Sequence, residues 1–168
     1  ISYRRDFGDS DFLRKFKDAI RTAGLKATNK EVFFDDNSID WGKEFDEKIC
    51  DSIFTSYFFV PMYHYHYLSL DKMWCARELF LAIQFENKIR ERIKDFCFIL
   101  PIIDSGEASD MPECIGSKNA KQIQRIKHIF SKKDSKAYNE FVEDVHLILL
   151  KNYKLIQDDI SFYDVFKD

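Results

Sequence analysis

The sequence predicts an α/β domain in which helices cover both faces of a parallel sheet. Short apolar segments alternate along the chain with longer amphipathic ones, which is the order of elements expected for a parallel sheet. The run Phe96 to Ile103 is apolar enough for a strand buried on both faces. The length of 168 residues fits one domain.

The first half of the chain contains three predicted strands separated by two predicted helices. Ile1 to Tyr3 is the end of a first strand, and Asp9 or Ser10 can cap the helix that follows. Apolar residues at helical spacing continue along that helix until Gly24, which is well placed to end it. Glu31 to Asp35 is a second strand. The next elements are a helix over about Lys43 to Phe54 and an aromatic-rich strand over Tyr57 to Met62.

The second half begins with a long predicted helix from about Asp71 to Ile93. Along one face of this helix the residues change from core to solvent-facing positions. They are Leu79, Ala82, Ile83 and Glu86. The fourth strand covers Phe96 to Ile103, and a loop follows over Asp104 to Ser117. The stretch over Lys121 to Phe130 is ambiguous and can hold a short helix and a fifth edge strand. The last element is an amphipathic helix over Asn139 to Tyr153.

Composition and charge argue against several classes of function. The net charge is −3 and no basic patch stands out, so we expect no direct binding to nucleic acid. The four cysteines show no CxxC spacing, and reduced thiols in a cytoplasmic protein are the simplest interpretation. The longest apolar runs are too short to span a bilayer and we expect no signal peptide, so a membrane is not an expected partner.

Trp74 and Glu78 form the most informative local pattern. They are four residues apart, so a helix stacks them on one face, and a carboxylate beside an indole suits a flat cationic ring. In doubly wound sheets, ligands bind outside the carboxyl ends of the strands, at the point where the strand order reverses. For the order 2-1-3-4-5 this point lies between strands one and three, next to the start of the helix that carries Trp74. Topology and motif therefore predict a single cleft.

Four groups of segments follow one another at consistent spacing along the chain. They are Ile1-Ser2-Tyr3-Arg4-Arg5, Phe34-Asp35-Asp36 with the loop Ser38-Ile39-Asp40-Trp41-Gly42, Trp74-Cys75-Ala76-Arg77-Glu78-Leu79, and Phe98-Ile99-Leu100-Pro101-Ile102-Ile103. Taken in order, they resemble a TIR domain (Toll/interleukin-1 receptor type), most closely the type that cleaves NAD⁺. The resemblance implies a flavodoxin-like, three-layer fold with five parallel strands in the order 2-1-3-4-5. We place this domain at residues 1–155, with a C-terminal extension or linker at 156–168.

The resemblance also implies roles for individual residues. In NAD⁺-cleaving TIR domains the glutamate of the third-helix turn is catalytic, which is the position of Glu78. A carboxylate there can stabilise the positive charge that develops on the ribose as the nicotinamide bond breaks. NAD⁺ is then a substrate, and no cofactor or metal is expected. The residues implied to surround the dinucleotide are Tyr3, Arg4, Arg5, Phe34, Asp35, Ser38, Trp41 and Trp74.

Each of these residues also has a plain structural interpretation. Glu78 can be a solvated helix carboxylate beside a nearby Lys or Arg, and Trp74 can be a core residue. The arginines at positions 4 and 5 can form surface ion pairs with nearby aspartates. His64 and His66 would share one face of a strand and could bind a metal, although no third ligand is evident. Cys75 is more plausible as a packed thiol than as a nucleophile, because no histidine is placed to activate it.

We therefore expect an NAD⁺ nucleosidase that releases nicotinamide and leaves ADP-ribose or a cyclic form. The resemblance implies a homo-oligomer in which the loop Asp36 to Gly42 of a neighbouring protomer completes the site, together with a fused or associated sensor domain. In a bacterium, such an enzyme would act in anti-phage defence by depleting NAD⁺. The alternatives are a non-catalytic TIR–TIR interaction module and a nucleotide-signal binder or base-exchange enzyme that uses the same cleft. Glu78 favours the enzyme over the interaction module, because receptor and adaptor TIR domains generally lack this glutamate.

Overall fold

Helices dominate the part of the chain that the structure describes. The computed structural model describes residues 10–28, 43–63, 67–68, 73–103, 113, 121–122 and 135–158. Within these residues the helices are α1 (Ser10–Thr28), α2 (Lys43–Phe54), α3 (Met73–Arg90) and α4 (Ser135–Asp158). The strands are β1 (Met62–Tyr63), β2 (Ile102–Ile103) and β3 (Lys121–Gln122).

The predicted five-stranded, flavodoxin-like sheet of order 2-1-3-4-5 is wrong for the described residues. These residues form a sheet of three two-residue strands in the order β1-β2-β3, with both pairs parallel. Met62 pairs with Ile102, and Ile102 pairs in turn with Lys121. The predicted first and second strands, at 1–3 and 31–35, lie outside the described residues.

The strands are short for a physical reason that involves Pro61. Before β1, Phe59 and Ile99 form an isolated parallel bridge, in which the Phe59 N–H donates to the Phe98 carbonyl at 2.7 Å. The Pro61 carbonyl accepts a hydrogen bond from the Ile102 N–H at 2.9 Å. Pro61 donates none in return, because proline has no backbone N–H. The predicted strands over Tyr57 to Met62 and Phe96 to Ile103 are therefore extended segments joined at intervals, and only their ends form a regular ladder.

The extended segments separate two hydrophobic clusters. One cluster joins α2 and α3 to side chains such as Phe59 and Phe98, whose rings stack with centroids 6.3 Å apart. The other joins α1 and α4 to Val60, Met62 and Ile102. Neighbouring residues of the same segment thus contribute to different clusters, as expected where side chains alternate along extended backbone.

Helix α1 continues through Gly24 to Thr28, so the prediction that Gly24 ends it was wrong. Gly24 is buried and its carbonyl accepts from the Thr28 hydroxyl at 3.1 Å, one turn further along the helix. The missing side chain suits a position on the packed face of α1, which lies along α4. Phe16 and Phe141 join the two helices, with ring centroids 6.0 Å apart. Packing here outweighs the weak helix propensity of glycine.

Helix α4 is longer than its amphipathic pattern predicts. It begins at Ser135 and ends at Asp158, so it crosses the predicted boundary between 155 and 156. Val145, Leu149 and Ile156 are buried along one stripe, and Ile156 belongs to the cluster around α3. Among the residues described, no helix combines the length and apolar character that a bilayer crossing would require.

The first two turns of α1 contain an exposed group of charges that shifts the pKa of Asp11. The Lys15 ammonium lies 2.7 Å from the Asp11 carboxylate, and the Arg14 guanidinium lies 2.6 Å from it. Hydrogen bonds from Lys15 and then Arg14 lower the pKa of the Asp11 carboxyl below its ordinary value of 3.8. Because the pKa of Asp11 is lower in the folded state than in the unfolded state, the ionised carboxylate stabilises the fold at pH values above its unfolded-state pKa. This stabilisation is lost as the pH falls through the folded-state pKa.

We expect Lys15→Gln to raise the pKa of the Asp11 carboxyl toward its ordinary value, because the largest stabilising contact of the carboxylate is removed. Carboxyl chemical shifts followed by NMR between pH 2 and 6 measure this pKa directly. Lys26→Gln, in the last turn of the same helix, is the matched control and should leave it unchanged. An Asp11 pKa that is the same in the wild-type protein and in Lys15→Gln would show that Lys15 does not lower it.

Candidate functional site

Helix α3 carries the predicted catalytic turn. Its sequence has no glycine or proline, so nothing in it interrupts a helix. Cys75, Leu79 and Ala82 are buried at spacings of four and three residues and fix one face of α3 in the core. Cys75 is only 8% exposed, which agrees with a packed thiol.

Glu78 lies at the border of that buried face. It follows Cys75 by three residues and precedes Ala82 by four, and its side chain is half-buried while that of Arg77 is exposed. Trp74 lies in the first turn of the same helix, one turn before Glu78. The prediction that one helix contains both positions is confirmed.

The other predicted binding residues lie outside the described residues. They are Tyr3, Arg4, Arg5, Phe34, Asp35, Ser38 and Trp41. The same holds for His64 and His66. Within the described ranges, no group of three His, Cys, Asp or Glu side chains is placed to hold a metal ion.

A cavity of about 830 Å³ lies at the other end of α3. Its apolar wall comes from α1, α4 and the extended segment before β2, and includes Phe16, Phe141 and Ile99. Its polar wall comes from the last turns of α3, starting at Glu86. Glu78 is not among the described residues that line this cavity, and it lies two turns, about 12 Å of helix, before Glu86. The predicted catalytic turn and the cavity are therefore separate places.

Glu86 lines the cavity and is almost fully buried, although the sequence pattern predicted that its face of α3 turns to solvent. Only 3% of the residue is exposed. One carboxylate oxygen accepts from the Phe98 N–H at 2.9 Å and from the Ile99 N–H at 2.8 Å. The other oxygen lies 3.7 Å from the Arg90 guanidinium. A buried carboxylate is tolerated when it accepts hydrogen bonds in this way, and here it joins α3 to the extended segment.

Asn152 joins α4 to the extended segments by hydrogen bonds, as Glu86 joins α3 to one of them. Its side-chain amide donates to the Tyr57 carbonyl at 2.9 Å and to the Cys97 carbonyl at 2.8 Å, and the residue is 1% exposed. These carbonyls belong to the two extended segments that lead to β1 and β2. One amide therefore holds both segments against α4 just before the regular ladder begins.

We expect Asn152→Leu to destabilise the fold by about 1–3 kcal/mol, because the part-buried Tyr57 and Cys97 carbonyls lose their donor. Urea unfolding followed by circular dichroism measures this change. Asn139→Leu is a matched control on the exposed side of the same helix and should stay within about 0.5 kcal/mol of the wild-type protein. Equal unfolding midpoints for the two variants would show that the amide does not stabilise the segments.

Sequence reasoning missed both Glu86 and Asn152 as structural residues, although helical spacing contained the signal. Asn152 falls on the stripe that includes Val145 and Leu149, and Glu86 lies four residues after Ala82 on the core face of α3. A polar residue on such a stripe indicates a buried hydrogen-bonding partner. The sequence does not say which backbone groups that partner provides.

Comparison with known proteins adds no family to this description. The chain matches no protein-family model, and no curated protein or solved structure is significantly similar to it.

Proposed function

We propose that this chain is an NAD⁺ nucleosidase and that Glu78 is its catalytic carboxylate. The observation that carries the proposal is the position of Glu78, half-buried at the border of the α3 core face and one turn after Trp74. A carboxylate at such a border is held by its packed neighbours and can still be reached by a substrate. The resemblance of this turn to that of NAD⁺-cleaving TIR domains supports the same role.

The proposed reaction breaks the bond between the nicotinamide nitrogen and the ribose carbon. Nicotinamide leaves as a neutral ring with the bonding electron pair, so no strong general acid is required. Positive charge develops on the ribose, as in glycoside hydrolysis, and the Glu78 carboxylate stabilises it. Water then adds to the ribose carbon, loses a proton and yields ADP-ribose, or an internal nucleophile yields a cyclic product.

The remaining parts of the proposal concern partners. We propose that Tyr3, Arg4, Arg5, Phe34, Asp35, Ser38 and Trp41 contribute to dinucleotide binding together with Trp74. We further propose that a homo-oligomer forms the complete site, with the loop at 36–42 of one protomer beside the α3 of another. A cytoplasmic location, an associated sensor domain and a role in anti-phage defence belong to the same proposal.

The test is NAD⁺ consumption by the purified chain, measured as nicotinamide release in dilute solution and when tethered densely on a surface. We expect release to rise steeply with density, because assembly completes the site. Free NAD⁺ incubated with the bare surface is the control for spontaneous cleavage. Absence of nicotinamide release at every density, from protein with the circular dichroism of the folded chain, would refute the nucleosidase.

A non-catalytic interaction module is the second candidate, and one observation favours it. Phe80 lies two residues after Glu78 on α3, and 60% of this large apolar residue is exposed. Phenylalanine is one of the residues that are enriched in contacts between protein chains. Self-association that is lost in Phe80→Ser, in a protein that never cleaves NAD⁺, would support this candidate.

A further inference from the structure

We propose that the cavity between α3 and the α1–α4 pair binds an amphipathic carboxylate, meaning an apolar chain that ends in one carboxyl group, such as a free fatty acid. The proposal rests on the shape and lining of this cavity, and it is independent of the nucleosidase proposal. Its volume of about 830 Å³ lies within the range typical of small-molecule sites.

The cavity lies where the two hydrophobic clusters meet. The apolar lining residues that keep accessible surface are half-buried: Phe58 and Leu100 pack against the α1–α4 cluster, and Ile83 packs against the α3 cluster. An apolar chain in this space would remove surface of both clusters from water, which is the main source of affinity for such a ligand. The half-buried part of the lining therefore offers apolar surface to a hydrocarbon chain.

The polar side of the cavity contains two cations and two carboxylates. Arg90 and Lys94 line it one turn apart, at the end of α3 and in the turn after it. The carboxylate of Glu86, which also lines it, is already satisfied by two backbone N–H groups and faces Arg90. Among the described residues Lys94 has no ion-pair partner, so its ammonium can receive a ligand carboxylate.

Asp95 is the other charged residue of the cavity lining, and its sign gives the proposal a second test. A carboxylate seated beside Lys94 is repelled by Asp95 and attracted by Lys94. Neutralising these two neighbouring side chains must therefore change the affinity in opposite directions. A purely apolar ligand would respond to neither change.

The experiment titrates the full chain with decanoate below its micelle-forming concentration and with decanol, using isothermal calorimetry. We expect saturable binding, with decanoate about two- to fivefold tighter than decanol, since a partly exposed ion pair contributes modestly. Lys94→Gln should weaken decanoate binding by a similar factor, and Asp95→Asn should strengthen it. Lys88→Gln removes a charge from the last turns of α3, away from the described lining, and should change nothing.

A second measurement locates the ligand. Cys97 lines the cavity and is half-buried, whereas Cys50 is half-buried in α2 away from the described lining. Decanoate should slow alkylation of Cys97 by iodoacetamide and leave Cys50 unaffected, as followed by mass spectrometry of each peptide. Absence of saturable binding, equal affinity for decanoate and decanol, or equal protection of both cysteines would overturn the proposal. The substituted residues are exposed, so these variants are expected to fold.

Discussion

Glu78→Gln is expected to lose NAD⁺ cleavage by a factor on the order of 10² to 10³, the loss typical when one preorganised electrostatic group is removed from a transition state. Glutamine keeps the size of the side chain and its position at the border of the α3 core face. It carries no negative charge, so the positive charge that develops on the ribose is no longer stabilised. Nicotinamide release at high surface density, at saturating NAD⁺, measures this loss in kcat.

The matched control is Glu91→Gln, which makes the same chemical change in the turn after α3. Glu91 is exposed, and its carboxylate is 3.4 Å from the Lys88 ammonium. We expect its turnover and its thermal unfolding to match those of the wild-type protein. Turnover that persists in Glu78→Gln would show that another group performs the reaction. Equal loss in both variants would point to damaged folding or assembly, because a contaminating enzyme would be unaffected by either substitution.

Glu86→Leu is expected to cause a large loss of stability, about 2–6 kcal/mol, because two buried backbone donors lose their acceptor at once. Leucine fills nearly the same space, but the Phe98 and Ile99 N–H groups then face an apolar side chain. The loss is a large fraction of the 5–15 kcal/mol by which a domain of this kind is typically stable. Replacing a buried ion pair by apolar residues can be neutral, but here the backbone partners remain and cannot be replaced.

Glu86→Gln separates the acceptor from the charge. The glutamine oxygen can still accept from both N–H groups, so we expect this variant to retain most of the stability that Glu86→Leu loses. Urea unfolding midpoints and slopes for both variants give the comparison. A Glu86→Leu protein as stable as Glu86→Gln would show that the two hydrogen bonds contribute nothing.

The helices follow from local sequence, and their positions could be predicted. Apolar spacing located α2 over Lys43 to Phe54 and centred α3 and α4 correctly, because helical hydrogen bonds form within the segment itself. Their ends were harder to predict, since packing against a neighbour carries α1 past Gly24. Long-range contact, rather than residue preference, decides where such helices end.

The sheet could not be predicted in the same way. A strand exists only where a partner accepts its hydrogen bonds, and the apolar run Phe96 to Ile103 does not state which partners it will have. In the folded chain the Glu86 carboxylate accepts from two N–H groups of this run, those of Phe98 and Ile99. The Asn152 side chain donates to a third backbone group of the run, the Cys97 carbonyl. Pro61 lies inside the predicted strand over Tyr57 to Met62, and its effect on the ladder depends on the segment opposite it.

The two candidate sites differ in the same way, because only one of them could be predicted from local sequence. The turn that contains Trp74 and Glu78 is a local feature, so sequence spacing was enough to place both on one helix. The cavity, by contrast, is lined by residues from α1, α3, α4 and the segment around Cys97, and these are far apart in sequence. No local pattern brings them together. Only the arrangement of the two hydrophobic clusters creates the space between them.

The two hydrogen bonds of Asn152 also have a consequence for the order in which the chain becomes structured during synthesis. They connect α4 to Tyr57, 95 residues earlier, and to Cys97, 55 residues earlier. A nascent chain that has emerged only as far as α3 has no donor for these carbonyls and no α4 surface to cover α1. Water and chaperones must occupy those groups until residue 152 has left the ribosome, so the α1 side of the core forms late in translation.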